Sequence, residues 1–167
     1  MMIRQPRWTK VLSDNVIINL ATLGPVGRLK APGTWGSVVG ILWYTLFYYN
    51  ISAIGLLLCT VAFLYVSLGI CGEAEIRLGK VDPGEIILDE FVAIPICFFG
   101  LQPYLNSSWA WAVFLSAFVL FRFFDILKPF GIKNLQRYTG GLGVVMDDVA
   151  AAGATCLVLN IFFRLVF

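Results

Sequence analysis

Gly140-Gly141-Leu142-Gly143-Val144-Val145-Met146-Asp147-Asp148 leads without a break into the uncharged run Val149–Phe163. The pattern predicts a flexible glycine loop that delivers two adjacent carboxylates to the start of an apolar helix. Like charges at such an edge are costly unless a cation or hydrogen bonds hold them. Of the ten acidic residues in the chain, two are here, four lie between Asp82 and Glu90, and one is Asp125. Seven of the ten thus fall in three short segments, each touching an apolar run. That clustering points to a site.

The surrounding composition gives the class. The 167 residues fit one domain of ordinary size. Hydrophobic residues make up 59%, charged residues 13%, and the mean hydropathy is +0.85, which is not a soluble globular composition. No charge occurs between Lys30 and Glu73. A span takes about 20 apolar residues, so that gap has room for two. The expectation is an all-α polytopic membrane protein of about four to five apolar helices, some short or tilted, with cytoplasmic loops carrying the site. One domain covers residues 1–167, and residues 1–30 form a basic interfacial arm that lacks a signal-peptide core and is retained.

In order along the chain, Asn15–Thr22 predicts a short interfacial helix with Asn15, Asn19 and Thr22 on one stripe. Val38–Tyr49 is short for a span unless it recruits Trp35–Ser37, whereas Ile51–Gly72 spans comfortably. Glu73–Pro83 reads as a charged loop. Gly84–Gly100 is apolar after its acids, so its membrane portion is short. Trp109–Leu127 returns, Lys128–Gly143 is a basic loop, and Asp147–Phe167 is the last helix.

A net charge of +2 is too small to argue for nucleic-acid binding. The basic residues have a topological reading instead. They group as Arg4 to Lys30, Arg77 with Lys80, and Arg122 to Arg137, while the turns near Asn50–Ser52 and Gln102–Ser108 carry no charge. By the positive-inside rule the three groups are cytoplasmic, and the clustered acids lie with them.

Histidine is absent, which removes every histidine-dependent hydrolytic or phosphotransfer mechanism. Cys71 and Arg77 match the bare Cys-x5-Arg spacing of cysteine phosphatases, but Glu73 and Glu75 between them would repel phosphate. The four cysteines read as packing residues, with no paired spacing for zinc or disulfides.

The carboxylates suit metal chemistry better. If Glu85–Glu90 is helical, Glu85 and Asp89 share a face while Glu90 points about 100° away. Oxygen ligands at a membrane edge fit Mg²⁺, which takes one or two carboxylates plus water and substrate phosphate. Helix capping is the alternative for each acid, above all Asp82 and Glu85. Arg122, Asp125 and Lys128 recur at three-residue spacing, consistent with a simple intrahelical salt bridge or with a phosphate clamp. Ala31-Pro32-Gly33-Thr34-Trp35-Gly36-Ser37 places amides and the Thr34 and Ser37 hydroxyls at a helix start, a natural anion site, although Thr34 as a cap explains the same pattern.

Together, Ala31–Ser37, Asp82 through Asp89-Glu90, Phe121–Pro129 and Gly140–Asp148 resemble the phosphatidylglycerophosphatase A family, from about Leu23 to the C-terminus. The resemblance implies a bacterial inner-membrane, Mg²⁺-dependent enzyme. Its site would face the cytoplasm and remove the terminal phosphate of phosphatidylglycerophosphate to give phosphatidylglycerol. The matching polar positions are Thr34, Ser37, Asp82, Asp89, Glu90, Arg122, Asp125, Lys128, Asp147 and Asp148. Two departures stand out: Ala93 where the family usually has glycine, and Lys128-Pro129-Phe130-Gly131 where it tends to have Lys-Pro-Trp-Pro. The expected roles are Asp89, Glu90, Asp147 and Asp148 on Mg²⁺, with Asp125 a ligand or general base. Arg122, Lys128 and the Thr34–Ser37 turn would hold the phosphate. Catalysis would rest on Asp89, Asp125 and Asp148, by direct water attack or through an aspartyl-phosphate; Asp82 and Glu85 are further candidates.

Two other classes fit parts of the pattern. Intramembrane acids also mark ion-coupled transporters, though these generally show inverted repeats that are not evident here. A non-catalytic membrane protein would use its acids as caps. A lipid phosphotransferase would need a spaced Asp-Gly…Asp…Asp signature, which is missing. Oligomeric state is not legible.

Overall fold

The computed structural model describes residues 6–129 and 131–166, and among them every regular element is helical. Seven α-helices occur in order: α1 (Asp14–Ala21), α2 (Pro32–Trp43), α3 (Ala53–Leu78), α4 (Leu88–Ala93), α5 (Gln102–Leu105), α6 (Ala110–Leu127) and α7 (Gly141–Val166). Among the described residues, α3, α6 and α7 are the helices long and apolar enough to cross a membrane, with mean hydropathies of 2.4, 1.9 and 1.9. At 1.5 Å per residue the 26-residue helices reach about 39 Å, longer than a hydrocarbon core of about 30 Å. Each keeps large apolar side chains exposed outward, among them Leu58 and Val61 on α3, Leu115 and Val119 on α6, and Leu157 and Ile161 on α7. Those faces meet lipid.

The two short apolar runs fold differently. The first begins at Pro32, recruiting Trp35–Ser37, and continues past α2 through a wider turn at Tyr44–Tyr48. The second forms only α4 and a 3₁₀ turn at Ile94–Phe98, where Pro95 can donate no backbone hydrogen bond. This segment is the buried centre of the molecule: Val92, Ala93, Ile94, Cys97 and Phe98 are at most 3% exposed. It packs against α2, α3 and α7, so its shortness fixes how deep its acids sit. Ala93, one departure from the family pattern, is fully buried there; Phe130, in the other, lies outside the described residues, as does Arg4 of the arm.

Three loop expectations need correction. The glycine stretch expected as a flexible loop is mostly the first turn of α7: Gly140, at φ +71°, precedes the helix, while Gly141 and Gly143 lie in it and serve contact rather than freedom. A Cβ on Gly141 would overlap the Leu68 carbonyl oxygen, so α7 and α3 cross there backbone to backbone. The charged loop expected from Glu73 is helical to Leu78, where Gly79 at φ +63° ends α3. Arg77 explains the extension: it bonds Glu73 one turn back (3.1 Å), Asp14 (2.9 Å) and the Leu12 carbonyl (2.8 Å), tying the arm to α3. Part of the basic loop, Ile132–Arg137, is a 3₁₀ turn. In the arm, α1 buries Ile17 and Ala21, and Thr22, expected on a stripe with Asn15 and Asn19, is its buried C-terminal cap.

Candidate active site

Four chain segments converge at one site: the stretch after α3, the start of α4, the end of α6 and the first turns of α7. A cleft of about 270 Å³ opens there. Its lining includes Asp82, Asp89, Glu90, Asp125, Lys128, Asp147 and Asp148, with Ile86, Ile126 and Val144 as apolar walls.

The innermost group is a cluster of three acids. Asp89 and Glu90 from α4 and Asp148 from α7 each offer a carboxylate oxygen within 4.8 Å of the others. Asp89 is 5% exposed and Asp148 3%. Burial pushes the Asp89 carboxyl well above its ordinary range, and Glu90 and Asp148 push it further. Glu90 Oε2 is buried with no hydrogen-bond partner. Three crowded carboxylates with an orphaned oxygen could hold a hard divalent cation, and their oxygen donors suit Mg²⁺.

Beside the acids stand two bases. Arg122 Nη1 binds Asp125 Oδ2 at 2.7 Å, lies 3.8 Å from Glu90 Oε1, and donates to Ser37 Oγ at 3.5 Å. Its Nε is buried and unpartnered. Lys128, in a left-handed conformation at the end of α6, binds Asp147 Oδ2 and lies 3.9 Å from Asp125 Oδ1. Burial works against the Lys128 charge, but the bond to Asp147, with Asp125 and Asp148 nearby, outweighs it and raises the pKa. Asp125 therefore stands between both bases, which goes beyond an isolated salt bridge.

Helix geometry separates the adjacent Asp147 and Asp148. Successive residues point about 100° apart on a helix, so Asp148 joins the acid cluster while Asp147 turns to Lys128.

Other sequence candidates sit further out. Ser37 reaches the site through Arg122, although its own hydroxyl donates back to the Gly33 carbonyl at 2.9 Å. Thr34 does not cap α2: that position is Ala31, in a left-handed conformation without a side-chain bond, and Thr34 lies in the first turn outside the cleft lining. Glu85 does not share a helical face with Asp89, because α4 starts only at Leu88; its carboxylate pairs with Lys80 at 3.0 Å. Asp82 caps no helix. It sits at the cleft mouth, accepts from Gln136 Nε2 at 2.9 Å, and is held through its amide by Glu75 Oε1 at 2.7 Å. The Cys71–Arg77 pairing does not form a phosphate loop, since Cys71 is fully buried within α3 and Arg77 is engaged by Glu73 and Asp14.

Sequence reasoning missed Gly33 as a functional position. A Cβ there would overlap Glu90 Oε1 and stand 3.0 Å from Arg122 Nη1, so glycine lets α2 close over that pair. Gly33→Ala is expected to lower activity by about 10²-fold, the cost of misplacing reactive groups by roughly 1 Å, with helical content retained by circular dichroism. Normal rates in that variant would show that the pair tolerates displacement.

Fold and site define a small helical membrane protein whose cleft holds a carboxylate cluster and Lys128, with Arg122 paired to Asp125 and Glu90 beside it, a set suited to hydrolysing phosphate esters at a bilayer. Residues 19–163 match the family model described as Phosphatidylglycerophosphatase A, and the chain belongs to that family. It is 39% identical over 154 residues to Phosphatidylglycerophosphatase A of Haemophilus influenzae, covering 83% of this chain and 89% of the relative. The Escherichia coli protein of that name is 32% identical over 124 residues, covering 72% and 67%. A Bacteroides thetaiotaomicron protein named for a proposed phosphatidylinositol-3-phosphatase activity is 36% identical over 126 residues, covering 72% and 76%. No solved structure matches. The chain is therefore a membrane-associated lipid phosphatase, and the transporter and scaffold readings fall away.

Proposed function

We propose that this enzyme removes the terminal phosphate of phosphatidylglycerophosphate to give phosphatidylglycerol, at the cytoplasmic face of the bacterial inner membrane and with Mg²⁺ as cofactor. The observation that carries the reading is the cleft and its rim: three clustered acids with an orphaned Glu90 oxygen, Arg122 3.8 Å from Glu90, and Lys128 in the same lining, both bases bridged by Asp125. The names of the Haemophilus influenzae and Escherichia coli relatives support the substrate. The three basic groups support the inward orientation.

Asp89, Glu90 and Asp148 would hold the ion, which when bound supplies Lewis-acid stabilisation of charge on the phosphoryl oxygens. Arg122 and Lys128 hold the phosphate from the other side, Arg122 with its free Nε and Lys128 from the end of α6. Asp125 orients both cations and serves as general base toward the attacking water. The apolar walls and the short α4 let a headgroup drop below the membrane surface while its acyl chains stay in lipid.

Metal binding has a stability signature. With its pKa raised on folding, Asp89 contributes stability below the ordinary carboxylate pKa that is lost as pH rises through the folded value. Millimolar Mg²⁺ should therefore raise Tm in detergent at neutral pH, lose that gain on chelation, and matter little near pH 4. A Tm indifferent to Mg²⁺ at neutral pH would remove the metal from the account.

The Bacteroides thetaiotaomicron relative favours a second reading, hydrolysis of a 3-phosphoinositide. Phosphate release from phosphatidylglycerophosphate, phosphatidylinositol 3-phosphate and phosphatidic acid, compared in mixed micelles by kcat/KM, decides between them. The proposal expects the first to lead by at least tenfold. Preference for the inositide would overturn it.

A further inference from the structure

We propose that Asp147 is a positioning residue that holds Lys128 against the substrate phosphate, and that it is not a metal ligand. This assigns different work to two neighbouring aspartates and rests on the phosphatase reading above.

Three observations carry it. Asp147 Oδ2 is bound directly by Lys128 Nζ, whereas the cluster of mutually close carboxylate oxygens contains Asp148 and not Asp147. Lys128 leaves α6 at φ +45°, a backbone conformation that non-glycine residues rarely adopt. That conformation places its side chain in the cleft, and Asp147 is the partner that fixes its ammonium. Finally, Asp147 is 3% exposed and its second oxygen, Oδ1, is buried without a partner. With Oδ2 occupied by Lys128, Oδ1 is left buried without a partner beside the cleft that Asp147 and Lys128 both line.

The arrangement makes the cation site rigid. A lysine on a four-carbon stem loses much rotamer freedom when it binds phosphate, and a buried carboxylate that has already ordered it removes that cost. Asp147 thus affects phosphate binding through Lys128 and leaves the affinity for the cation to its neighbour.

The test uses the full-length protein in detergent with two readouts: Mn²⁺ binding by electron paramagnetic resonance, and competitive inhibition of lipid hydrolysis by inorganic phosphate. Asp147→Asn should keep the Kd for Mn²⁺ within threefold of the parent while raising KM and the phosphate Ki at least tenfold. Asp148→Asn should lose Mn²⁺ binding. In a Lys128→Ala background, Asp147→Asn should add less than twofold, because the residue it served is gone. The double variant also removes both buried charges together, so it folds where a single change leaves one unpaired. Loss of Mn²⁺ binding in Asp147→Asn would make Asp147 a ligand and overturn the inference. Full additivity with Lys128→Ala would overturn it as well. If the parent bound no Mn²⁺, the metal reading would fail, while the phosphate arm would still decide the coupling.

Discussion

Asp148→Asn should lower phosphate release by about 10³-fold or more, since losing the cation forfeits several kcal/mol of charge stabilisation. Asparagine keeps the shape of the side chain and removes one charge from a buried cluster of three acids. The fold loses nothing by this, and Tm in chelator should stay level or rise as repulsion with Asp89 and Glu90 is relieved. Asp89→Asn should behave alike. Near-normal rates in both variants, on protein of unchanged helical content, would mean that the acid cluster is not the metal site.

Arg122→Ala has the second largest expected effect, and it acts on both activity and stability. The guanidinium is the direct partner of Asp125 at 2.7 Å and a near neighbour of Glu90 at 3.8 Å. Removing it leaves Glu90 without its cation and Asp125 with only Lys128 at 3.9 Å, on side chains 13% and 11% exposed. Breaking a buried pair costs on the order of 3 kcal/mol, so Tm falls visibly. Turnover should drop by about 10²-fold, the usual scale for deleting one preorganised donor to developing charge. Arg122→Lys should recover stability better than rate, because an ammonium cannot reproduce the planar fork that meets Asp125 while leaving Nε for phosphate. Equal recovery of both would assign Arg122 a purely structural role.

Much of the site was readable from sequence because burying charge is expensive. Seven acids against apolar runs had to be explained by something, and six of them, Asp82, Asp89, Glu90, Asp125, Asp147 and Asp148, do line one cleft. The Arg122–Asp125–Lys128 spacing likewise placed its residues correctly, since three-residue steps share a helix face. What the sequence left unread depends on contacts between distant segments. Whether Glu85 joins Asp89 hinges on where α4 starts, and the Ile87 amide bond to the Ala21 carbonyl (3.0 Å), which holds the chain outside the helix, is invisible to local pattern. Gly33 and Gly141 looked like turn glycines, yet each is small because another segment presses on it. The split between Asp147 and Asp148 was half legible: the helical period separates them, but only the packing of α7 on α6 shows which one meets Lys128.

The most direct test is phosphate release by the purified protein in micelles of phosphatidylglycerophosphate, measured with Mg²⁺, after chelation, and after Mg²⁺ is restored. The account predicts steady release, loss on chelation and recovery on re-addition, with Asp148→Asn inactive throughout. Release that continues unchanged in chelator would contradict it.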